Sequence, residues 1–155
     1  MDKKCDNKSV GVLVWQGDKL LLIERKKPPF GFAPPAGHID DKGNYINAAK
    51  EELEEETGLV SIKLTLLVEG RKDNSCRRIG GSWHYWKVYD AEVKGELKPN
   101  EDETKQAGWY SKKQMEGLQK RADDYLNKKI SESEWEISPG IEPVWKEWFK
   151  ELDII

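Results

Sequence analysis

The segment from Glu51 to Leu59 constrains this chain most, because five glutamates fill six positions just before a Thr-Gly pair. If it is helical, Glu52, Glu55 and Glu56 lie on one face, since residues three and four apart are neighbours on a helix. Each like-charged pair at that spacing costs a helix roughly 0.2–0.5 kcal/mol unless a positive charge offsets it. A divalent cation that prefers carboxylate oxygens would do so. Composition alone favours the alternative, an acidic face in contact with solvent.

The preceding residues favour the metal-binding interpretation. The stretch from Gly37 to Leu59 resembles the signature box of the Nudix hydrolases. In one-letter code the box reads G, five residues of any type, E, seven of any type, then R-E-U-x-E-E-x-G-U, where U is aliphatic. The chain matches seven of these positions across 23 residues, namely Gly37, Glu52, Leu53, Glu55, Glu56, Gly58 and Leu59. The entry loop 33–40 is similar to the family's Pro-Gly-Gly turn with its following acidic residue.

Two positions depart from the box. Gly43 stands where the family has glutamate, and Glu51 stands where it has arginine. In the family these two residues form an ion pair that ties the loop to the helix. Loss of both partners leaves no buried charge alone, and is therefore less damaging than loss of one. Asp40, Asp41 and Asn44 are the candidates to take over part of the loop's role.

The resemblance implies an α+β chain with the Nudix fold, a mixed β-sheet sandwiched between α-helices, with residues 1–155 as one domain. It implies a metal-dependent pyrophosphohydrolase that cleaves a nucleoside diphosphate linked to another moiety, by attack of water on phosphorus. Mg²⁺ is the expected cofactor and Mn²⁺ a substitute. A small nucleotide is the expected partner, and a homodimer is compatible with the family.

The metal ligands implied by the box are Glu52, Glu55 and Glu56, with the backbone of Gly37 beside them. Glu103 precedes a Trp-Tyr strand at about the distance where many family members carry a ligand or general base. The general base is therefore Glu55 or Glu103, and the sequence leaves this choice open. An acidic surface loop is the alternative for Glu103.

Candidates for substrate binding follow from side-chain chemistry. Arg71, Arg77 and Arg78 lie in a loop between two predicted strands, and guanidinium groups suit phosphate oxygens. His38 lies in the box loop, and Trp86 is an aromatic on which a nucleobase could stack. A solvated basic loop and a buried tryptophan are the alternatives. The basic run 25–27 has similar standing as a phosphate-binding candidate.

Two other functions compete with the hydrolase. One is a catalytically weak or inactive Nudix-fold module that binds a nucleotide or a protein; the other is an acidic helix that serves only as a protein-interaction face. Among substrates, the marks of ADP-ribose and diadenosine polyphosphate enzymes are missing at Asn74 and at residues 75–77. The preferred substrate is a nucleoside triphosphate or a small modified nucleotide.

Composition limits the function further. A net charge of −3 argues against general nucleic-acid binding, and no apolar run approaches the roughly 20 residues that span a bilayer. The N-terminus has no apolar stretch of signal-peptide type, so a cytoplasmic location is expected. Cys5 and Cys76 are interpreted as reduced, unrelated thiols. A zinc site built from Cys76, His84 and others is the less favoured alternative.

The pattern of residues predicts the elements. Ser9–Trp15 and Lys19–Arg25 read as a β-hairpin, and a helix is expected from an Asn44 N-cap to Gly58. Further strands are predicted at 62–69, 83–93 and 108–110. Ser111 is expected to cap a helix through Leu118, and an amphipathic helix is expected from Pro143 onward.

Overall fold

The structure, a computed structural model, describes residues 3–155. Its runs of strands and of helices follow one another in the order expected of an α+β chain. In chain order the elements are β1 (Lys8–Leu13), β2 (Trp15–Gln16), β3 (Lys19–Arg25), β4 (Phe32–Ala33), β5 (Ala36–His38), α1 (Tyr45–Thr57), β6 (Val60–Lys72), β7 (His84–Lys94), β8 (Thr104–Tyr110), α2 (Lys112–Leu126), α3 (Glu132–Ile137) and α4 (Pro143–Glu151).

The strands form two sheets. The first has the order β5-β1-β7-β6, and it is mixed because β1 runs parallel to β7 while the other pairs are antiparallel. In the second sheet, β3 pairs antiparallel with β2, β4 and β8. The fold-class prediction is confirmed, since mixed sheet and flanking helices both occur.

The predicted hairpin between Ser9–Trp15 and Lys19–Arg25 is wrong in its pairing. The two segments are strands, but β1 pairs with β5 and β7 in the first sheet, whereas β3 belongs to the second. Backbone pairing between the two segments is limited to the end of the first, where Trp15 and Gln16 pair with Leu20 and Lys19 and the Val14 carbonyl accepts a hydrogen bond from the Leu21 N–H. The last five residues of β1 are buried, so this strand gains more apolar burial between two neighbours than it would at a hairpin edge.

Helix α1 begins and ends where the sequence predicts. The Asn44 side chain accepts a hydrogen bond from the Asn47 backbone N–H at 2.8 Å, which caps the first turn. Gly58 ends the helix with φ of +76°, a left-handed conformation that glycine adopts without strain. The helix buries Ala48, Ala49 and Leu53 against the first sheet.

Helix α4 packs on the other side. Trp145, Trp148 and Phe149 are almost completely buried in a core shared with β1, β3 and β7. Gly11 in β1 permits this approach, because a Cβ there would collide with the Trp145 indole. Helix α2 runs eight residues beyond the predicted Leu118, and α3 was not predicted. None of the helices in residues 3–155 is long and apolar enough to cross a membrane.

Candidate active site

A cavity of about 400 Å³ lies between the acidic face of α1, strand β5, the β6–β7 connection (residues 73–83) and the turn before β8. Its volume falls within the range of small-molecule pockets. Charged side chains from distant parts of the sequence line it, and they fall into an acidic and a basic group. The lining residues include Arg25, His38, Asp40, Lys42, Glu52, Glu55, Glu56, Cys76, Arg77, Arg78, His84, Trp86, Glu103 and Glu142.

Glu56 is the deepest carboxylate of the α1 face. It is only 5% exposed, and its Oε2 accepts a hydrogen bond from the Ala36 backbone N–H at 3.0 Å. Burial raises the pKa of Glu56 well above its ordinary value, and the negative charge of Glu52 raises it further. Arg25 and the Ala36 N–H oppose this rise only in part. An anionic Glu56 is therefore costly unless more positive charge enters the cavity.

Glu52 lies one turn before Glu56 and touches strand β5. A Cβ at Gly37 would collide with the Glu52 carboxylate, so the glycine of the box is required for this close approach. Burial raises the pKa of Glu52, and the charges of Glu55 and Glu103 add to the rise, although Lys42 lowers it. Two carboxylates with raised pKa values therefore lie on adjacent turns of the same helix face.

Glu55 and Glu103 complete the acidic group from opposite parts of the chain. Glu55 is exposed on α1, and Glu103 is exposed in the turn before β8. The backbone carbonyl of Glu103 accepts a hydrogen bond from the Lys26 N–H at 3.0 Å, which holds the turn against the end of β3. The structure thus brings together all four glutamates that the sequence singled out, two of them buried or half-buried and two open to solvent.

Comparison with known proteins identifies the family of the chain. A family model described as the NUDIX domain matches residues 6–132. The chain belongs to the Nudix family. It is therefore a hydrolase that acts on phosphoric anhydride bonds, in a family that cleaves nucleotide-linked pyrophosphates and generally uses divalent metals. The curated proteins gave no match.

Solved structures share the Nudix fold. A MutT NUDIX hydrolase from Burkholderia pseudomallei is 25% identical, with a TM-score of 0.61, covering 70% of this chain and 84% of that chain. A NUDIX family hydrolase from Clostridium perfringens is 25% identical, with a TM-score of 0.56, covering 72% and 85%. A C. elegans Ap4A hydrolase is 19% identical, with a TM-score of 0.51, covering 69% and 82%, and shows the fold alone.

A different ion pair ties the Nudix box loop to α1 in this chain. Lys42 Nζ lies 2.6 Å from Glu52 Oε1, and both side chains are less than one-fifth exposed. Gly43 has φ of +99°, which disfavours a side chain, and Glu51 is exposed to solvent. The chain therefore lacks the family's loop glutamate and helix arginine, but Lys42, one position before Gly43, forms an ion pair with the helix. No sequence pattern indicated this role for Lys42.

The predicted loop residues have new partners. Arg78 donates to both carboxylate oxygens of Asp40, at 2.6 and 3.0 Å, and this bidentate pair lowers the pKa of Asp40. Asp41 is exposed, whereas Asn44 serves as the cap of α1. Of the three candidates to support the loop, Asp40 is thus the one that holds it, through the β6–β7 connection.

The substrate-binding candidates are divided by the fold. Arg77, Arg78 and His38 line the cavity, with Arg77 exposed. Burial and the Arg78 guanidinium lower the pKa of His38 to about 4, so its imidazole is neutral near pH 7. Arg71 is not among the residues that line the cavity. Its Nε donates a hydrogen bond to the Asp73 carboxylate at 3.0 Å, and its guanidinium lies 4.6 Å from the centre of the Trp83 ring.

Trp86 is among the residues that line the cavity, but only 4% of it is exposed. Its ring makes edge-to-face contacts with Trp145 and Trp148, and its indole N–H donates to the Asn74 side chain at 3.0 Å. Alternation along β7 turns residues 84, 86 and 88 inward together. Trp86 is therefore a core residue and not the outward-facing aromatic that the base-stacking prediction requires.

Two site residues were not singled out by the box. Arg25 at the end of β3 lines the cavity, and its Nε is buried without a hydrogen-bond partner among the described residues. Glu142, directly before α4, is only 8% exposed, and burial raises its pKa while Arg25 opposes the rise. The sequence indicated Arg25 only as part of the basic run 25–27 that precedes the double proline. Nothing local marked Glu142.

Proposed function

We propose that this chain is a Mg²⁺-dependent pyrophosphohydrolase whose substrate is a nucleoside triphosphate or a small modified nucleotide. The observation that carries the proposal is the burial of Glu56 beside Glu52, against the glycine of the box, in a cavity that also contains free guanidinium donors. Buried carboxylates with raised pKa values are poor structural elements but good ligands for a hard divalent cation.

The donor set fits Mg²⁺. Glu52 and Glu56 would hold the ion with Glu55, and the absence of a side chain at Gly37 keeps the space beside Glu52 open. Lys42 supplies positive charge to Glu52 and would have to yield when a cation binds. When bound, Mg²⁺ neutralises pyrophosphate charge and lowers the pKa of a coordinated water.

The exposed carboxylates are proposed to accept the proton from the attacking water. Glu55 and Glu103 line the same cavity from α1 and from the turn before β8, and both are exposed to solvent. A general base must be ionised at the working pH, which the buried Glu56 resists without a cation. Whichever of Glu55→Gln and Glu103→Gln removes the true base should lower kcat by about 10²–10⁴-fold, whereas the other should have a smaller effect.

The basic group is proposed to bind the substrate's phosphates. Arg25 has a buried Nε without a protein partner, and Arg77 is exposed at the cavity rim. Arg78 is already committed to Asp40, so it is better placed to hold the loop than to bind substrate. Arginine suits this role because its planar fork donates two hydrogen bonds to phosphate oxygens.

The test is Mg²⁺-dependent release of phosphate or pyrophosphate across a nucleotide panel. The panel contains nucleoside triphosphates, ADP-ribose, nucleotide sugars and dinucleoside polyphosphates. Wild type is compared with Glu56→Gln and with Glu54→Gln, a matched change at an exposed glutamate of the same helix outside the cavity lining. Arg25→Ala is added to test phosphate binding.

The expected result is turnover that requires Mg²⁺, survives in Glu54→Gln and falls by at least about 100-fold in Glu56→Gln, the scale of losing a main source of charge stabilisation. Arg25→Ala should raise KM more than it lowers kcat. Binding of Mg²⁺ without hydrolysis of any member of the panel would overturn the proposal in favour of a nucleotide-binding module. Equal turnover in Glu56→Gln and wild type would remove the assigned metal site.

A further inference from the structure

The two cysteines and two histidines of the chain are gathered in one place. They are its only residues of these types, and they lie at positions 5, 38, 76 and 84. One ligand atom from each, Sγ or a ring nitrogen, lies within 4.8 Å of those of the other three. The interpretation of Cys5 and Cys76 as unrelated thiols is therefore wrong, because their sulfurs lie 3.8 Å apart.

The separations match tetrahedral zinc coordination. With Zn–S bonds of about 2.3 Å and Zn–N bonds of about 2.0–2.1 Å, tetrahedral geometry separates two sulfurs by about 3.8 Å and a sulfur from a nitrogen by about 3.5 Å. Cys5 Sγ lies 3.8 Å from Cys76 Sγ and 3.4 Å from His84 Nε2. Both separations from Cys5 thus match those that one ion would impose, and the remaining pairs lie within 4.8 Å.

Both imidazoles have a ring nitrogen available for coordination. His84 Nδ1 lies 2.9 Å from the Asn74 carbonyl oxygen, so Nδ1 carries the proton and Nε2 offers its lone pair to the cluster. A backbone carbonyl on the far nitrogen is the usual support of a metal-binding histidine. His38 Nε2 is buried without a hydrogen-bond partner among the described residues, although such atoms are nearly always satisfied.

We propose that Cys5, His38, Cys76 and His84 form a structural Zn²⁺ site, separate from the carboxylate site of α1. Four protein ligands close the coordination sphere, which is characteristic of structural and not of catalytic zinc. Two thiolates and two imidazoles suit Zn²⁺, whereas Mg²⁺ prefers the oxygen ligands of the glutamates. The two sites therefore select different metals by ligand chemistry.

Alternative pairings explain the cluster less completely. A disulfide requires the sulfurs to approach to about 2.0 Å, and here both cysteines are free. Thiol hydrogen bonds would account for Cys5 with His84 and for Cys76 with Cys5. Neither arrangement gives a partner to the buried Nε2 of His38.

The site would fasten the β6–β7 connection to the rest of the fold. Its ligands come from the segment before β1, from the end of β5, from the connection itself and from the start of β7. The neighbouring Arg77 would then be held at the cavity rim, a consequence that rests on the proposed function. Coordination also withdraws His38 from the substrate, so its predicted role in substrate binding gives way to a structural one.

The first experiment measures metal content. Protein purified without chelators or a metal-affinity tag is analysed for zinc by mass spectrometry, and the metal-free protein is titrated with Co²⁺. We expect one zinc per chain and an absorption spectrum with thiolate-to-cobalt charge transfer and intense tetrahedral bands. Glu52→Gln should retain both, because the carboxylate site is not involved.

Variants assign the ligands. Cys76→Ser should lose the zinc and weaken its affinity by more than the roughly 10–100-fold typical of an outer-sphere change. Ser75→Ala, at an exposed neighbouring position, is the matched control and should keep one zinc per chain. Because the spectrum is recorded on wild type, misfolding of a variant does not decide the outcome.

The opposing results are equally specific. The proposal is overturned if wild type contains no zinc and also fails to bind Co²⁺ through thiolate. This holds whether the two cysteines are then found as free thiols or as a disulfide. Zinc retained in Cys76→Ser would also overturn it. Metal content and spectrum are independent of turnover, so failure of this proposal is distinguishable from failure of the proposed hydrolysis.

Discussion

Glu56→Gln is expected to stabilise the protein in the absence of Mg²⁺ and to abolish its stabilisation by Mg²⁺. Glutamine has nearly the same shape as glutamate, and its carbonyl can still accept the hydrogen bond from the Ala36 N–H. The change removes a charge that is buried beside Glu52. Only the electrostatic part of the side chain's contribution is therefore altered.

The magnitude follows from burial. The negative charge of Glu56 is disfavoured in the folded state, because burial and Glu52 raise its pKa above the value it has in the unfolded chain. Each unit of pKa shift corresponds to about 1.4 kcal/mol of stability. Burial of a polar group without full compensation costs about 1–3 kcal/mol, and a charged group costs more. For a chain of this size each kcal/mol shifts Tm by about 2–4 °C.

Mg²⁺ reverses the order of stability. A ligand that binds only the folded state stabilises it by about 2.7 kcal/mol at a concentration 100 times its Kd. Wild type should gain this stability at saturating Mg²⁺, whereas Glu56→Gln should gain little. The assay is thermal unfolding at pH 7.5 in Mg²⁺-free buffer and in a Mg²⁺ series, with no strong zinc chelator present.

Glu54→Gln is the matched control. It neutralises an exposed glutamate of the same helix, so its Tm should stay close to that of wild type and its response to Mg²⁺ should be intact. The reasoning is refuted if Glu56→Gln is less stable than wild type without Mg²⁺, or if both variants respond to Mg²⁺ equally. The first outcome would mean that protein groups alone fully compensate the buried charge.

Three further predictions concern substitutions at single positions. Burial raises the pKa of Glu142, so its charge costs stability at neutral pH, and this cost disappears below about pH 4. In urea unfolding, the free energy of unfolding of Glu142→Gln should exceed that of wild type at pH 7 and equal it near pH 4. A difference that stays constant between the two pH values would contradict this. Gly43→Ala should cost about 1–3 kcal/mol because φ is +99°, whereas Gly117→Ala, inside α2 and free of contacts, should gain about 0.5–1 kcal/mol. Gly37→Ala should push the Glu52 carboxylate aside and reduce the Mg²⁺-induced rise in Tm by more than half, and an unchanged rise would show that Glu52 does not hold the ion.

The local elements were predictable because their signals are local. An Asn44 cap and a Gly58 stop define α1, and the three-and-four spacing of its glutamates places them on one face. Pro143 at the first turn of α4 and its apolar spacing likewise predict a buried helix. Helix α3 lacked such periodicity over its six residues and was missed.

The pairing of strands was not predictable from the same kind of signal. Two apolar runs around a glycine turn resemble a hairpin, but β1 gains more burial between β5 and β7 than beside β3. Trp86 shows the same limitation, since a strand pattern gives two faces without saying which one meets the core. Non-local burial decides both.

Amino-acid sequence alone determined the acidic face of α1 and the glycine at the loop before it, because a helix and a tight approach are properties of consecutive residues. Tertiary structure alone decided what surrounds that face. It brings Lys42 onto Glu52 and places Arg25 at the cavity. It also brings Cys5 into contact with His84, 79 positions further along the chain. Contacts between side chains so distant along the chain depend on sheet order and packing, which no local pattern encodes.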